Sequence, residues 1–432
     1  MTGTAIGSRT ATLVGRAERL FPGGVNSPVR AFRAVGRPPL LLERGAGPHV
    51  WDVEGRRYVD YVGAWGPAIL GHAHPAVIEA VVRGASNGLA LGATHPLEIE
   101  LGEAIRQAMP SMERLRFTSS GTEAVMSALR LARAATDRDL VVKFAGAYHG
   151  HSDGLLVEAG SGLATQGIAS SAGVPDAVAA TAIVLPWNDV AAVSRAFAER
   201  PGAIAAVVVE PVIANAGVIA PDPGYLEHLR AVTRANGALL VFDEVITGFR
   251  VAAGGAQERF GIEPDLTTLG KIIGGGMPVG AYGGRAELME LVAPAGPVYQ
   301  AGTLSGHPLS MAAGIATLAE LTPDRYAALE ETAAVLAAGL RDAAEETGRE
   351  VSIASVGPLL TVFFRPTLPR DASEALASDR DAYARFFGLM LDQGIFLPPS
   401  QFEAWFVSMA HRVVEIQATI EAARVAFRSS GA

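Results

Sequence analysis

A lysine near the middle of the chain has the sequence context of a reactive amine. Lys271 lies in LTTLGKIIGGGMPVGA, after a short apolar run and just before three glycines. A desolvated lysine loses its proton readily, and the free amine then forms a Schiff base with a carbonyl compound. Most single lysines are solvated surface residues. The segment around Lys271 is almost uncharged, however, and this favours a buried, glycine-lined amine.

A second residue that suits this chemistry is the carboxylate that ends the apolar run in ALLVFDEVITGF, Asp243. In α/β sheets, ligands bind beyond the carboxyl ends of the strands. A carboxylate at such a position keeps a pyridine nitrogen protonated, and the ring then serves as an electron sink. Acidic residues also end strands simply as turn residues, so Asp243 alone leaves both interpretations open.

Two further motifs supply ligand-binding groups. In FTSSGTEAVMSALRLARAA, Gly121 and Thr122 open a helix directly after a strand. The free N–H groups of a helix start bind phosphate, although Ser120 or Thr122 can equally act as a helix cap. In FAGAYHGHSDG, Tyr148 offers a ring that can stack on a flat cofactor. His149 and His151 of the same loop also suggest a metal, but no carboxylate or thiol partner is clustered with them.

Composition limits the classes of protein to consider. The chain has 432 residues, 49% apolar and 18% charged, which predicts two structural lobes with a large core. The net charge of −9 disfavours a nucleic-acid partner, and the lack of cysteine excludes disulfides and thiolate metal sites. The N-terminus has no apolar signal region, and the longest apolar stretch, 203–220, is interrupted by polar residues. We therefore expect a cytoplasmic protein that does not enter a membrane.

The elements that must position these residues alternate between strands and helices. The apolar runs predict strands at 114–119, 140–144, 203–210 and 238–242, and the helical patterns predict helices at 123–135 and 226–235. This alternation favours a mostly parallel sheet that is covered on both faces. A hairpin is predicted around Glu54 and Gly55. Beyond residue 310 the pattern changes to helices at 310–321, 326–347 and 413–427 with a strand near 359–364, which indicates a smaller α/β lobe.

Taken in order, the motifs of this chain resemble those of a known family. SSGTEA, GAYHGHSDG, VVVEPV, FDEVITGFR, LGKIIGGGMPVGAYGG and AGTLSGHPL are similar to the motifs of class III aminotransferases of fold type I, which depend on pyridoxal 5'-phosphate. FPGGVNSPVRAF, GAWGPAILGHAHP, EAGSGLAT and PPSQFEAWFVS extend the resemblance to the aminomutase branch of that family. The resemblance runs from residue 20 to about 427.

The resemblance implies an α/β fold with a large domain, a mostly parallel seven-stranded sheet between helices, at 66–315. A smaller α/β domain would combine an N-terminal segment, 1–65, with residues 316–432. The implied catalytic residues are Lys271, Asp243 and Tyr148, with Lys271 carrying the cofactor and moving protons. The implied cofactor-binding residues also include Ser120, Gly121, Thr122, His149, Glu210, Asn215, Val245 and Thr303. The implied substrate-binding residues are Ser27, Arg30, Trp65, Ser161 and Glu403.

The implied activity moves an amino group within one small molecule. Glutamate-1-semialdehyde becomes 5-aminolevulinate, a tetrapyrrole precursor, through 4,5-diaminovalerate, with the cofactor cycling between pyridoxamine 5'-phosphate and pyridoxal 5'-phosphate. Thr303 would complete the phosphate site of a neighbouring subunit in a homodimer, and a loop at about 150–181 would close over the substrate. The alternatives are a class III transaminase with separate amino donor and acceptor, a racemase or epimerase, and a non-catalytic descendant.

Overall fold

The structure is a computed structural model that describes residues 7–157 and 171–429. Its centre is a seven-stranded sheet in the order β4-β10-β9-β8-β7-β5-β6. The strands are β4 (Arg114–Thr118), β5 (Leu140–Phe144), β6 (Ala182–Leu185), β7 (Ile204–Val209), β8 (Leu239–Asp243), β9 (Leu266–Gly270) and β10 (Gly280–Gly284). Only β10 runs antiparallel to its neighbours. The mostly parallel sheet predicted from the sequence is therefore confirmed.

Both faces of this sheet are covered, which is why its strands are continuously apolar. Every residue of β7, β8 and β9 is buried. The helices of this part of the chain are α2 (Pro75–Ala85), α3 (Pro96–Ala108), α4 (Gly121–Thr136), α5 (Asp176–Ala179), α6 (Val190–Glu199), α7 (Tyr225–Ala235), α8 (Gly255–Phe260), α9 (Ala286–Met289) and α10 (Pro308–Ala319). Helix α4 presents Val125, Leu129 and Leu131 to the core.

Two boundaries differ informatively from the predicted ones. Helix α4 begins at Gly121, not at residue 123, because the Ser120 hydroxyl accepts a hydrogen bond from the backbone N–H of Glu123 and caps the helix. Strand β8 extends to Asp243, one residue past the predicted end, because Asp243 pairs with Thr268 of β9. The sheet itself therefore fixes the backbone that carries the Asp243 carboxylate.

The two ends of the chain meet in a second sheet. After α1 (Ser8–Leu20), strands β1 (Leu42–Ala46), β2 (His49–Asp52) and β3 (Arg57–Asp60) form an antiparallel sheet, with the predicted hairpin between β2 and β3. Strand β13 (Ile395–Phe396) joins β3 in parallel. A smaller lobe built from both termini is consistent with this pairing, while the predicted divisions after residues 65 and 315 stay predictions.

The remaining C-terminal elements complete this region. A three-stranded sheet has the order β11-β12-β14, with β11 (Ser352–Val356), β12 (Leu359–Phe363) and β14 (Trp405–Phe406). Its helices are α11 (Pro323–Glu346), α12 (Ala372–Leu376), α13 (Arg380–Asp392) and α14 (Val413–Ser429). Within the described ranges, none of the helices is long and apolar enough to cross a membrane.

Candidate active site

A cavity of about 410 Å³ opens at the carboxyl edge of the seven-stranded sheet. The residues that follow β4, β5, β7, β8 and β9 all reach this edge, since those five strands run in the same direction. Ten residues predicted from the sequence line the cavity: Ser120, Gly121, Thr122, Tyr148, His149, Glu210, Asn215, Asp243, Val245 and Lys271. The fold thus brings together residues that are up to 151 positions apart (from 120 to 271).

Lys271 immediately follows β9 in a conformation that non-glycine residues rarely adopt. Its φ is +48°, a left-handed backbone that costs free energy and is found mainly where function requires it. The remaining exposed surface of Lys271 belongs to the cavity wall. Burial lowers the pKa of this amine to about 8, against the opposing attraction of Glu403, Glu210 and Asp243. The amine is therefore much closer to its uncharged, nucleophilic form at neutral pH than an ordinary lysine.

Three groups hold the Asp243 carboxylate. Its Oδ2 lies 2.7 Å from His149 Nδ1, and both side chains are buried. Its Oδ1 accepts hydrogen bonds from the backbone N–H of Val245 (3.1 Å) and from the Thr268 hydroxyl (3.3 Å). His149 Nε2 is buried without a hydrogen-bond partner in the described part of the chain. The carboxylate is thereby oriented at the floor of the cavity.

The hydrogen-bond partner of the His149 side chain is Asp243. In residues 7–157 and 171–429, no three His, Asp or Glu side chains are grouped so that they can hold a metal ion. His151 instead lies with its Nδ1 3.2 Å from the Thr122 hydroxyl. The two histidines of the loop after β5 therefore face different partners.

A second buried carboxylate, Glu210, stands at the end of β7. It accepts hydrogen bonds from the backbone N–H of Tyr148 (2.7 Å) and from the Asn215 amide (3.0 Å). Burial raises the pKa of Glu210 to about 7, opposed by His149 and reinforced by Asp243. Glu210 thus ties the Tyr148 loop to the Asn215 loop. Its raised pKa favours the neutral form more than in an ordinary glutamate, which limits the negative charge beside Asp243.

The start of helix α4 forms another part of the wall. A Cβ on Gly121 would stand 3.1 Å from both methyl carbons of Val245, so glycine allows this helix start to approach the strand end closely. The first N–H groups of a helix have no intrahelical acceptor and attract anions. The Ser120 hydroxyl accepts the capping hydrogen bond and can still donate, so the backbone amides and the Ser120 and Thr122 hydroxyls are donors suited to a phosphate.

The wall behind Lys271 contains residues that sequence reasoning missed. Arg250 is buried, and its guanidinium donates to the carbonyl oxygens of Val407 and Gly66 and lies 5.0 Å from the Phe406 ring centroid. A Cβ on Gly66, which has φ +122°, would stand 2.9 Å from the Lys271 side chain. The segment TGFR does not distinguish Arg250 from a surface arginine. Its burial against two backbone carbonyls, with no carboxylate partner among the described residues, is seen only in the structure.

The predicted substrate residues are less closely assembled than the cofactor residues. Glu403 is buried and acts electrostatically on both Lys271 and Tyr148. Trp65 is partly buried with φ +66°. Ser27 lies along a separate surface cleft and Arg30 is exposed, and Thr303, which was predicted to bind the cofactor phosphate, is exposed as well. These three do not line the cavity, and Ser161 lies outside the described residues.

The sequence that carries this cavity-wall lysine, strand-end carboxylate and anion-binding helix start matches a family model. Residues 32–408 match the model described as aminotransferase class-III. The chain belongs to the class-III aminotransferase family.

Similar curated proteins include enzymes named glutamate-1-semialdehyde 2,1-aminomutase. Glutamate-1-semialdehyde 2,1-aminomutase from Sorangium cellulosum is 56% identical over 414 residues, covering 96% of this chain and 95% of that protein. The enzyme of the same name from Thermomicrobium roseum is 57% identical over 412 residues, covering 95% and 96%.

Solved structures agree on the fold. An omega-transaminase from Sphaerobacter thermophilus has a TM-score of 0.92 at 34% identity, covering 99% of this chain and 98% of that one. A variant of glutamate-1-semialdehyde-aminomutase from Pseudomonas aeruginosa, in complex with PMP, has a TM-score of 0.87 at 30% identity, covering 98% and 94%. The fold-type I architecture expected from the sequence is confirmed.

Proposed function

We propose that this chain is a glutamate-1-semialdehyde 2,1-aminomutase, an isomerase that forms 5-aminolevulinate for tetrapyrrole synthesis. The observation that carries the proposal is identity of 56–57% over at least 95% of the chain to enzymes of that name. The cavity adds physical support, because one chamber combines an activated amine, an oriented carboxylate and an anion-binding helix start. These are the groups that amino transfer needs.

The cavity residues fit pyridoxal 5'-phosphate and its amine form, pyridoxamine 5'-phosphate. Lys271 would bind the aldehyde carbon, Asp243 the ring nitrogen, and Gly121 and Thr122 the phosphate, while the buried Nε2 of His149 has no hydrogen-bond partner among the described residues. Tyr148, Glu210, Asn215 and Val245 would surround the ring. When bound, the cofactor withdraws electrons from the carbon that gains or loses a proton.

Lys271 is the group in the chain that can move that proton. An amine with a pKa of about 8 exchanges protons near neutral pH, whereas an ordinary lysine remains almost fully charged. Hydrogen bonds from His149, Val245 and Thr268 hold the Asp243 carboxylate in one orientation at the floor of the cavity. Lys271 would therefore act twice in each turnover, first on one carbon of the substrate and then on its neighbour.

Ser27 and Arg30 would bind the substrate carboxylate, because the guanidinium fork matches its two oxygens. Trp65, Ser161 and Glu403 would line the rest of the substrate site. A segment at about 150–181 would close over the site and retain 4,5-diaminovalerate between the two halves of the reaction. Loss of that diamine would stop the internal transfer after the first half.

We further infer a homodimer in which Thr303 completes the phosphate site of the neighbouring subunit. Thr303 is exposed beside Tyr299 (72% exposed) and Leu304 (50% exposed). Helix α2 and the segment after it add Ile78, Val82, Leu89 and Leu91, each 49–62% exposed. So many large exposed apolar side chains on neighbouring segments favour an interface between subunits.

A single-substrate assay tests the function. Protein loaded with pyridoxamine 5'-phosphate is mixed with glutamate-1-semialdehyde, without any other amine or keto acid. Formation of 5-aminolevulinate over many turnovers is expected. If product forms only after an external amine or keto acid is added, the chain is a transaminase with two substrates, the activity named for the structurally similar omega-transaminase.

A further inference from the structure

A second cleft, separate from the candidate active site, has the properties of an anion site. Its volume is about 590 Å³, and it lies between the β1–β2 turn, the residues before α2, one face of α11 and the residues before α14. Its ionisable lining consists of His72, His74, Arg325, His411 and Arg412. No acidic residue of the described chain lines it. The charge of this lining is therefore suited to a negative ligand.

His411 provides the observation that points to a ligand. It is 5% exposed, and its ring stacks on Tyr61 with centroids 4.6 Å apart. The backbone N–H of Ser408 donates to His411 Nδ1 at 3.0 Å, so Nδ1 is the acceptor and the neutral ring carries its hydrogen on Nε2. Nε2 has no hydrogen-bond partner within the described residues. A buried N–H donor without an acceptor costs free energy, and the residue that carries this donor is among those that line the cleft.

The N-termini of two helices add partial positive charge to the cleft. Helix α2 begins at Pro75 and helix α14 at Val413, and the residues just before both line the cleft. The first N–H groups of each helix carry a partial positive charge. His74, which precedes α2, also has a buried Nδ1 without a partner in the described chain.

The nearby carboxylates are already occupied. Asp60 accepts from the backbone N–H of Val62 and lies 2.6 Å from His72 Nε2. Glu415 accepts from the backbone N–H of Arg412 at 3.0 Å, and Glu320 pairs with Arg325 at 2.7 Å. The Arg412 guanidinium itself makes no ion pair with any described residue. It is therefore available to a ligand.

We propose that this cleft binds the phosphate or carboxylate group of a small anionic metabolite, through the Arg412 guanidinium, the His411 Nε2–H and the starts of α2 and α14. The site is connected to the candidate active site through Tyr61. Its carbonyl accepts from the backbone N–H of Phe406, whose ring centroid lies 6.0 Å from Lys271 Nζ. An anion that fixes His411 would therefore restrain a residue two steps from the catalytic amine.

The test is calorimetric titration of the protein loaded with pyridoxal 5'-phosphate, so that the cofactor already fills the phosphate site at α4. Inorganic phosphate and succinate are the two probes, and a preference between them identifies which anionic group the cleft takes. Arg412→Glu is expected to weaken binding at least about tenfold, because it replaces a charge-assisted hydrogen bond with repulsion. Arg195→Glu, which makes the same charge change on an exposed face of α6, should leave binding unchanged.

Histidine NMR gives a second readout that does not depend on how the variant folds. In ¹⁵N-labelled wild-type protein, the His411 Nε2 signal should shift on saturation with whichever probe binds. Neither probe giving 1:1 binding, equal weakening by both variants, or an unmoved His411 signal would overturn the proposal. Because every sample carries the cofactor and no turnover is measured, these outcomes are independent of the aminomutase assignment.

Discussion

The cofactor half and the substrate half of the candidate site are built differently. Asp243, His149 and Glu210 are buried; His149 hydrogen-bonds to Asp243, Glu210 accepts from the Tyr148 backbone N–H, and the two carboxylates lie at the ends of β8 and β7. Ser27 and Arg30 of the substrate half, in contrast, stand outside the cavity, and Arg30 is exposed. One chain brings most of the first half together, and in our proposal Thr303 of a second subunit completes its phosphate site. The second half depends on the arrival of substrate.

This difference separates two kinds of functional residue. Groups at strand ends are positioned by the same hydrogen bonds that form the sheet, so folding fixes their geometry before a ligand binds. Groups on surface segments obtain their geometry on binding, and each loses conformational freedom at that moment. Variants of the cofactor half should therefore affect the chemical step, and variants of the substrate half should affect saturation.

Lys271→Ala should have the largest effect. It removes both the covalent anchor and the proton carrier, so turnover should fall by more than about 10⁴-fold. Steady-state assay measures the loss, and borohydride reduction of the wild-type protein loaded with pyridoxal 5'-phosphate should attach the cofactor to the peptide containing Lys271. Attachment at Lys143, or normal turnover by the variant, would contradict the assignment.

Asp243→Asn should be next. A neutral amide does not stabilise a protonated ring nitrogen, so turnover should fall at least about 100-fold and cofactor affinity should decrease. Thr268→Val is the matched control, because it removes one weaker hydrogen bond (3.3 Å) to the same carboxylate while keeping its charge. Equal losses in the two variants would assign Asp243 a structural role only.

Arg30→Ala should act on saturation. Loss of a charge-assisted hydrogen bond to the substrate carboxylate should raise KM about tenfold or more, with a much smaller change in kcat. Arg33→Ala, an exposed neighbour in the same segment, serves as the control. An unchanged KM for Arg30→Ala would place the substrate carboxylate elsewhere and remove the contrast between the two halves.

Arg250→Gln should produce the smallest change, a displacement along the pH axis. Arg250 helps to lower the pKa of Lys271, which is about 8 in the cofactor-free chain. The amine reacts when unprotonated, so uptake of pyridoxal 5'-phosphate should accelerate as the pH rises through about 8. In Arg250→Gln the acceleration should occur at higher pH, towards the ordinary lysine range. Absorbance stopped-flow measures both profiles.

The control for this displacement is Arg259→Gln, an arginine that pairs with Glu330 at 3.1 Å away from the cavity. It should leave the pH profile where the wild type has it. If Arg250→Gln folds normally and shows the wild-type profile, desolvation alone sets the pKa of Lys271.

Sequence patterns predicted the sheet, because apolar runs such as 238–242 have only one stable environment, a strand covered on both faces. They also predicted Lys271 and Asp243, because strand ends and glycine runs leave local signals. Arg250 was missed because its burial depends on contacts with Gly66 and Val407, 184 and 157 positions away. The His149–Asp243 pair, 94 positions apart, was missed for the same reason: neither residue's segment encodes the distance between them.

The chain contains only two lysines, Lys143 and Lys271. Lys143 is fully buried in β5, where its ammonium donates to the carbonyl oxygens of Leu155 and Val157. The basic surface of the protein is thus made of arginine, which amine-directed reagents do not modify. Of the two lysines, acylating labels and aldehyde-functionalised supports should consequently react with Lys271 in preference to Lys143. Occupancy of the cavity could then be followed by labelling stoichiometry alone.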